Sequence, residues 1–234
     1  MKTILGVVLC SMMAWGQDAA PKMDRKLIQL HYIDASRARS LAGTFAGRDL
    51  FLEADDRLHW IAARGPAEMV AAFEDAVKKL DVAPLGFELT VYLISASPQP
   101  GDHLPDALAS TAKQLHSVFA YKGYDLLESF VLRGRDGQNN ASADGAIKNS
   151  TYNFRFNRAT VLDGATKVVS LQNLSLQIRT PNGRLDEKGN PQLKYTGLST
   201  DVDIRDGQKV VVGKSDVNNE DSPLILVVTA KVVE

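Results

Sequence analysis

The hydrophobic pattern changes period three times in the first third of the chain, and this alternation constrains the fold most strongly. Lys26–Ile33 is rich in β-forming residues, and Asp49–Ala54 and Leu58–Ala63 are short apolar runs joined by two aspartates, as in a hairpin. Helical spacing occupies the stretch between the first two runs and the stretch after the third. The order strand, helix, strand, strand, helix predicts a small α+β domain over residues 25–83.

The two predicted helices have recognisable boundaries and one buried face each. Asp34 is a natural N-cap for the first helix, Gly47 stops it, and Gly65-Pro66 opens the second. The apolar stripes are Ala35, Ala38, Leu41, Ala42 and Phe45 in the first helix, and Met69, Val70, Phe73, Val77 and Leu80 in the second. We expect both helices to cover one face of a small sheet, with Val82-Ala83-Pro84 as the linker to the next domain.

The remainder, residues 85–234, is longer and richer in strand patterns. Phe87–Ala96 is apolar enough to be a central strand, and Leu104–Phe119 carries one apolar stripe and predicts the main helix. Further strands are predicted at Tyr124–Arg133, Tyr152–Val161, Lys167–Arg179, Lys194–Ile204, Lys209–Gly213 and Leu224–Val232. Asp136–Ala146 is predicted to be a polar loop, and Asp206-Gly207 a tight hairpin turn. The pattern fits an α+β domain or a small sheet sandwich with one helix, and one sheet or two remain open.

The first 16 residues have the features of a signal peptide. A lysine supplies the positive charge, Ile4–Trp15 is an apolar run too short to span a bilayer, and Ala14-Trp15-Gly16 places small residues where a signal peptidase cuts. We predict cleavage before Gln17 and a mature chain without a membrane-spanning segment. A lipid anchor on Cys10 is the alternative, but the residue before it is leucine where that motif needs a small one.

Five stretches of the chain resemble the secretins, the ring-forming outer-membrane channels of bacterial secretion and pilus systems. In order, they are Ile28–Ala35, Asp56–Ala63, Lys79–Pro84, Gly197–Thr200 and Asp206–Gly213. His59, Trp60 and Lys214 depart from the family pattern, and the Leu-Gly-x-Leu-Phe type segment of pore-forming secretins is not found. The resemblance implies a βαββα periplasmic N-domain of secretin type at 25–83 and a β-rich secretin-like domain with one main helix at 85–234, without the pore.

No catalytic, metal or cofactor motif stands out. The four histidines, His31, His59, His103 and His116, lack metal-ligand spacing. A metal shared by His31 and His59 is a weaker alternative to surface imidazoles, and His103 between two aspartates fits a helix start. The acidic stretches Gly134–Gly137 and Asp186–Asn190 fit hairpin turns better than calcium loops. The formal net charge of -1 removes the main argument for nucleic acid as a partner. We predict no enzyme activity and no catalytic, metal or cofactor-binding residues.

A domain with one free sheet face and a free sheet edge is suited to binding other proteins. Packing the helices of one copy on the sheet of the next gives a heterologous contact that closes into a ring, and a free edge captures an extended peptide. Tyr32 and Trp60 are candidate anchors, although burial in the small core is the preferred interpretation. We expect an exported periplasmic protein, its association with the outer membrane left open. It would be a secretin-related accessory or assembly component that contacts envelope proteins or copies of itself. A monomeric periplasmic module that binds a peptide or another ligand is the alternative.

Overall fold

The computed structural model describes residues 22–44, 49–185, 189, 191–216 and 223–233. The chain divides into two compact units, Met1–Ala83 and Pro84–Glu234. The predicted signal peptide at 1–16, the predicted end of the first helix at Phe45–Gly47 and all but Gly189 of the acidic turn at 186–190 lie outside the described residues.

The first unit is a three-stranded antiparallel sheet with two helices. Its elements are β1 (Met23–Gln29), α1 (Ala35–Gly43), β2 (Phe51–Asp55), β3 (Trp60–Pro66) and α2 (Ala67–Leu80). The strands lie in the order β1-β3-β2. One face of this sheet packs against the apolar stripes of the two helices. The buried core residues are Ile28, Leu30, Ala35, Ala38, Ala42, Ile61, Ala63, Val70, Phe73 and Val77. Leu41, predicted to be in the first stripe, is exposed instead.

An aspartate from a different part of the chain caps α1. Asp34 occupies the N-cap position, as predicted, but its side chain makes no capping hydrogen bond. The carboxylate of Asp56, in the turn between β2 and β3, accepts hydrogen bonds from the backbone N–H and the hydroxyl of Ser36, both at 2.8 Å. These bonds lower the pKa of Asp56. The cap therefore ties the helix to the hairpin, which a local capping signal does not reveal.

The second unit contains two sheets. Its elements are β4 (Gly86–Ser97), β5 (Gly101–His103), a 3-10 turn (Asp106–Leu108), α3 (Ala109–Val118), β6 (Gly123–Arg135), β7 (Asn139–Ile147), β8 (Ser150–Leu162), β9 (Val168–Leu185), β10 (Pro191–Arg205), β11 (Lys209–Ser215) and β12 (Leu224–Val233). One sheet has five strands in the order β11-β12-β4-β6-β5, and the other has four in the order β10-β9-β8-β7. The predicted polar loop at Asp136–Ala146 is wrong, because most of it forms the edge strand β7.

The five-stranded sheet is covered on both faces. One face packs against the four-stranded sheet in a core that includes Phe87, Leu89, Phe154, Phe156, Leu171, Leu176, Leu226 and Val228. The other carries a smaller core with Leu108 and Leu115 from the helical segment against Ile94, Tyr124 and Val227. The second unit is thus a sandwich of two sheets with one helix, the second of the two architectures that the pattern left open. No helix in the described part of the chain is long and apolar enough to cross a membrane.

Two copies of the tetrapeptide Arg-Asp-Gly-Gln connect the two sheets. Residues 135–138 lead from β6 to β7, and residues 205–208 lead from β10 to β11, so each turn moves the chain from one sheet to the other. In both, the glycine N–H donates to an alanine carbonyl of the receiving sheet, Ala159 at 3.0 Å and Ala230 at 2.8 Å. The hairpin interpretation of both turns is wrong, because the flanking strands pair with other strands.

The aspartates of these two turns have the same role. Asp136 accepts the backbone N–H of Val161, and Asp206 accepts that of Val232, each at 2.8 Å. Val161 lies on β8, which pairs with β7, and Val232 lies on β12, which pairs with β11. The repeated tetrapeptide is visible in the sequence and could have indicated that the two turns are equivalent. We nevertheless predicted no internal repeat.

Candidate interaction surfaces

The three-stranded sheet has an open face that carries large apolar side chains. Because side chains alternate along a strand, Ile28 and Leu52 face the helices, whereas their neighbours Leu27 and Phe51 face away from them. Leu27 is 59% exposed and Phe51 is 68% exposed. They border a groove of about 570 Å³ that runs over Ala62 of the central strand. Large apolar side chains on an open sheet face indicate a contact surface.

Two arginines stand directly opposite each other on this face. Arg25 of β1 pairs with Arg64 of β3, and Arg64 pairs with Phe51 of β2. Within the described part of the chain neither guanidinium has an ion pair. On the helix side, by contrast, Lys26 is paired with Glu74, which also binds Lys78 at 3.1 Å. Like charges directly opposite each other destabilise a sheet. Glu53 of β2 lies on the same open face but forms no ion pair with either arginine among the described residues, so a further acid from outside the unit would stabilise the arginine pair.

The outward stripe of α2 has the complementary chemistry. Glu68, Ala71, Ala72 and Asp75 are all exposed, and no ion pair within the described residues involves Glu68 or Asp75. Two acids therefore flank two small apolar side chains along one side of the helix. Both surfaces can be read from the sequence. On β1 and β2 they are the residues that alternate with the core residues, and on α2 they are the residues on the side of the helix opposite the core.

Tyr32 and Trp60 have different environments. Tyr32 is 60% exposed, so the preferred prediction of burial in the core is wrong for this residue. Trp60 is half-buried and lies on β3 in the phase of Ala62 and Arg64, which places it on the open face. Tyr32 instead lies in the loop after β1, whose backbone is held by Asp81.

The four-stranded sheet ends in two strands without a second neighbour among the described residues. β7 pairs only with β8, and β10 pairs only with β9. The edge strand β10 carries exposed Leu193 and Tyr195. Unpaired edges of this kind accept another strand unless side chains or bulges prevent it.

The histidines make separate pairs with acids. His103 lies on β5 and contacts Asp125 at 2.6 Å, so its predicted place at a helix start is wrong. His116 on α3 bonds Asp102 at 2.9 Å through Nε2, and this hydrogen bond raises the pKa of His116. His31 approaches Asp81 at 3.3 Å. In the part of the chain that the structure describes, no group of three His, Cys, Asp or Glu residues is placed to hold a metal ion.

The fold as a whole is similar to solved secretin structures. The InvG secretin domain of the Salmonella SPI-1 injectisome aligns over 92% of this chain and 89% of its own, with 14% identity and a TM-score of 0.55. The type II secretin XcpQ from Pseudomonas aeruginosa aligns over 93% and 77%, with 11% identity and a TM-score of 0.58. The V. cholerae type IV competence pilus secretin PilQ aligns over 92% and 78%, with 12% identity and a TM-score of 0.56.

The likeness is one of structure and not of sequence. Neither a family model nor a curated protein sequence matches this chain. The structural alignments nevertheless span both units, since each covers more than nine-tenths of the chain. The resemblance first seen in five short stretches therefore extends to the arrangement of the strands and helices, and this chain has a secretin-like fold.

Proposed function

We propose that this protein is a non-enzymatic assembly component of a secretin-related envelope structure, and that it acts by binding copies of itself. The observation that carries the proposal is the open face of the first unit, where Leu27 and Phe51 are exposed beside two directly opposed arginines that have no ion pair among the described residues. This arrangement does not stabilise an isolated domain, because the apolar side chains are exposed to water and the two cations repel each other. A second surface that is apolar and acidic relieves both costs.

The outward stripe of α2 on a second copy is that surface. Glu68 and Asp75 are seven residues apart, about 10 Å along the helix, so they present acids on either side of the alanines. Alanine at positions 71 and 72 allows the helix to come close to Leu27 and Phe51. The contact joins two different patches, the sheet of one copy and the helix of the next. A heterologous contact of this kind closes into a ring or grows into a filament.

The free edges of the four-stranded sheet support the same function. β7 of one copy and β10 of another would extend the sheet from protomer to protomer. The secretin-like fold supports this interpretation, because solved secretins are among the proteins to which the chain is similar.

The remaining parts of the proposal concern location and domain roles. Residues 1–16 serve as a signal peptide, residues 25–83 form a secretin N-like domain, and residues 85–234 form a β-rich secretin-like domain. The mature protein works in the periplasm. Deletion of residues 1–16 should therefore retain the protein in the cytoplasm when the cells are fractionated.

Light scattering coupled to size exclusion tests the self-assembly over a range of protein concentrations. We expect a discrete multimer for the wild type, and dissociation for the double variant Arg25→Glu, Arg64→Glu. Adding Glu68→Arg and Asp75→Arg reverses both sides and should restore the multimer. The double variant Arg37→Glu, Arg39→Glu is the matched control, because it changes the same charges on exposed positions of α1. A wild-type monomer at every concentration, or failure of the reversed pair to rescue, would contradict the proposal.

A further inference from the structure

A second surface on the molecule has the features of a small-molecule site. It is a hollow of about 420 Å³ on the outer face of the four-stranded sheet, opposite the face that packs in the core. Its lining residues come from β8, β9 and β10. They include the polar residues Asn153, Arg155, Ser175, Gln177, Tyr195 and Ser199 together with Leu176, Gly197 and Leu198. The proposed self-assembly uses the first unit and the backbone edges of β7 and β10. The hollow shares β10 with that edge, but it lies on the face of the sheet and is lined by side chains.

Gly197 creates the hollow. Two other strand glycines, Gly134 and Gly145, are covered by the rings of Phe87 and Tyr152 on the neighbouring strands. At Gly197 the atoms nearest to an added Cβ are instead backbone atoms of Leu176 and Gln177 on the neighbouring strand, so this position admits no side chain. The sheet is therefore left with a depression on its surface, beside a tyrosine that is 57% exposed.

Four of the polar side chains around the hollow, those of Asn153, Arg155, Ser175 and Ser199, are held in place by hydrogen bonds. Nε of Arg155 donates to the hydroxyl of Ser175 at 3.1 Å, and Nδ2 of Asn153 donates to Asp144 at 2.8 Å. The hydroxyl of Ser199 donates to Asn173 at 2.8 Å. Among the described residues, these bonds leave the carbonyl oxygen of Asn153, the terminal N–H groups of Arg155 and the whole amide of Gln177 for a ligand. Rigid, pre-oriented donors and acceptors are typical of binding sites.

We propose that this hollow binds the sugar units of an oligosaccharide. A pyranose ring presents hydroxyl groups around its edge, each a donor and an acceptor, and a flat apolar face of C–H groups. Planar amide and guanidinium groups bind such hydroxyls in pairs, and the tyrosine ring offers the apolar surface for the C–H face. The volume is in the range of small-molecule sites. A peptide strand, by contrast, is recognised by unpaired backbone groups, which point outward along the edge of β10, whereas the groups that line the hollow are side chains on the face of the sheet.

Isothermal titration of the purified mature protein tests this inference. Three soluble tetrasaccharides serve as probes, maltotetraose, cellotetraose and chitotetraose, each at up to about 10 mM to cover weak affinities. We expect saturable binding of at least one of them. Tyr195→Ala should weaken that binding about tenfold, and Gln177→Ala should weaken it several-fold. Tyr32→Ala is the matched control, because it removes a tyrosine of similar exposure from the first unit and should leave the affinity unchanged.

The outcome is decided separately from the proposed self-assembly. Tyr195→Ala should keep the wild-type mass in light scattering, and the arginine variants of the first unit should keep the wild-type sugar affinity. Absence of saturable binding with all three probes would overturn the sugar site, as would equal effects of Tyr195→Ala and Tyr32→Ala. If Tyr195→Ala loses the wild-type circular dichroism spectrum, Gln177→Ala decides alone, and unchanged affinity in that variant overturns the inference.

Discussion

The carboxylate of Asp81 accepts the backbone N–H of Tyr32 at 2.7 Å, across 49 positions of the chain. The same carboxylate accepts the N–H groups of His31 at 2.9 Å and Ile33 at 3.2 Å. Asp81 directly follows α2, and the three N–H groups belong to the loop that leaves β1. One buried side chain thus joins the end of the last helix to the first connection of the unit, and it does so at the aspartate of the Leu-Asp-x-x-Pro stretch that resembles secretins.

We predict that Asp81→Asn lowers the free energy of unfolding by about 1.5–3 kcal/mol at neutral pH, because three hydrogen bonds to a charged acceptor become bonds to a neutral one. Urea unfolding of the full mature chain measures the loss. Asp49→Asn is the matched control, since Asp49 is an exposed aspartate of the same unit outside the proposed contact surfaces, and no hydrogen bond or ion pair of its side chain occurs within the described residues. Equal effects of the two substitutions would contradict the anchoring role.

The same bonds predict a dependence on acid. Burial raises the pKa of Asp81, but the N–H groups of Tyr32, His31 and Ile33 lower it by more, so the net pKa lies below its ordinary value. The unfolded state therefore binds the proton more readily than the folded state. The stabilisation is complete above the ordinary aspartate pKa near 3.9 and is lost as the pH falls toward the folded-state value. Between pH 5 and pH 2.5, the wild type should lose more stability than Asp81→Asn, and parallel curves would argue against this.

Long elements with a strong period were predictable from the sequence. The buried stripe of α2 is confirmed at Val70, Phe73 and Val77, because a 14-residue amphipathic helix repeats its signal several times. The strand Phe87–Ala96 is likewise confirmed, as β4 at the centre of the five-stranded sheet. In both, local preference and burial point to the same structure.

The errors occur where tertiary contacts decide the structure. β7 has the sequence Asn-Asn-Ala-Ser-Ala-Asp-Gly-Ala-Ile, in which Ile147 is the only large apolar residue. It forms because β8 pairs with it and the ring of Tyr152 covers Gly145. Tyr32 is exposed for a related reason, since the loop backbone is held by Asp81 and not by packing of the tyrosine ring. The alternation of side chains along β1 and β3 predicts that one face of the sheet is free. It does not predict that Arg25 lies directly opposite Arg64, because the pairing of the strands is needed for that.

The repeated Arg-Asp-Gly-Gln turns predict equal effects of equal substitutions. Gly137 and Gly207 have φ of 77° and 73°, a left-handed conformation that costs a residue with a Cβ about 1–2 kcal/mol. Gly137→Ala and Gly207→Ala should therefore each lower the free energy of unfolding by about that amount. Gly164→Ala is the control, because this exposed loop glycine has ordinary φ and room for a Cβ. A large effect at only one of the two turns would contradict their equivalence.

The bond between His116 and Asp102 predicts a decrease in stability at higher pH. The pKa of His116 is raised above 6.5, first by the hydrogen bond from its ring to Asp102 and further by the charge of that carboxylate. The folded state thus holds the proton more tightly than the unfolded state. The stabilisation is complete below the unfolded-state pKa near 6.5 and disappears as the pH rises through the raised value.

Urea unfolding at pH 5.5 and pH 8.5 measures this contribution. We expect the difference between wild type and Asp102→Asn to be larger at pH 5.5, because Asn still accepts the backbone N–H of Tyr124 but cannot attract the imidazolium. Asp106→Asn changes an exposed acid just before α3. The difference in free energy of unfolding between this variant and the wild type should be the same at both pH values. A difference between wild type and Asp102→Asn that grows toward pH 8.5 would reverse the sign and exclude this mechanism.

The buried hydroxyl of Tyr124 predicts a stabilising substitution. Tyr124 is fully buried beneath α3, and its hydroxyl has no hydrogen-bond partner among the described residues. The ring packs edge-on against His116 at a centroid distance of 4.8 Å, a contact that phenylalanine preserves. Tyr124→Phe should therefore raise the free energy of unfolding by about 1 kcal/mol, because it removes a desolvated polar group without opening a cavity. Tyr124→Ala should lower it by about 3–5 kcal/mol, because the ring is lost. Destabilisation by Tyr124→Phe of more than about 1 kcal/mol would mean that the hydroxyl makes a hydrogen bond in solution, and water beneath α3 would then be its partner.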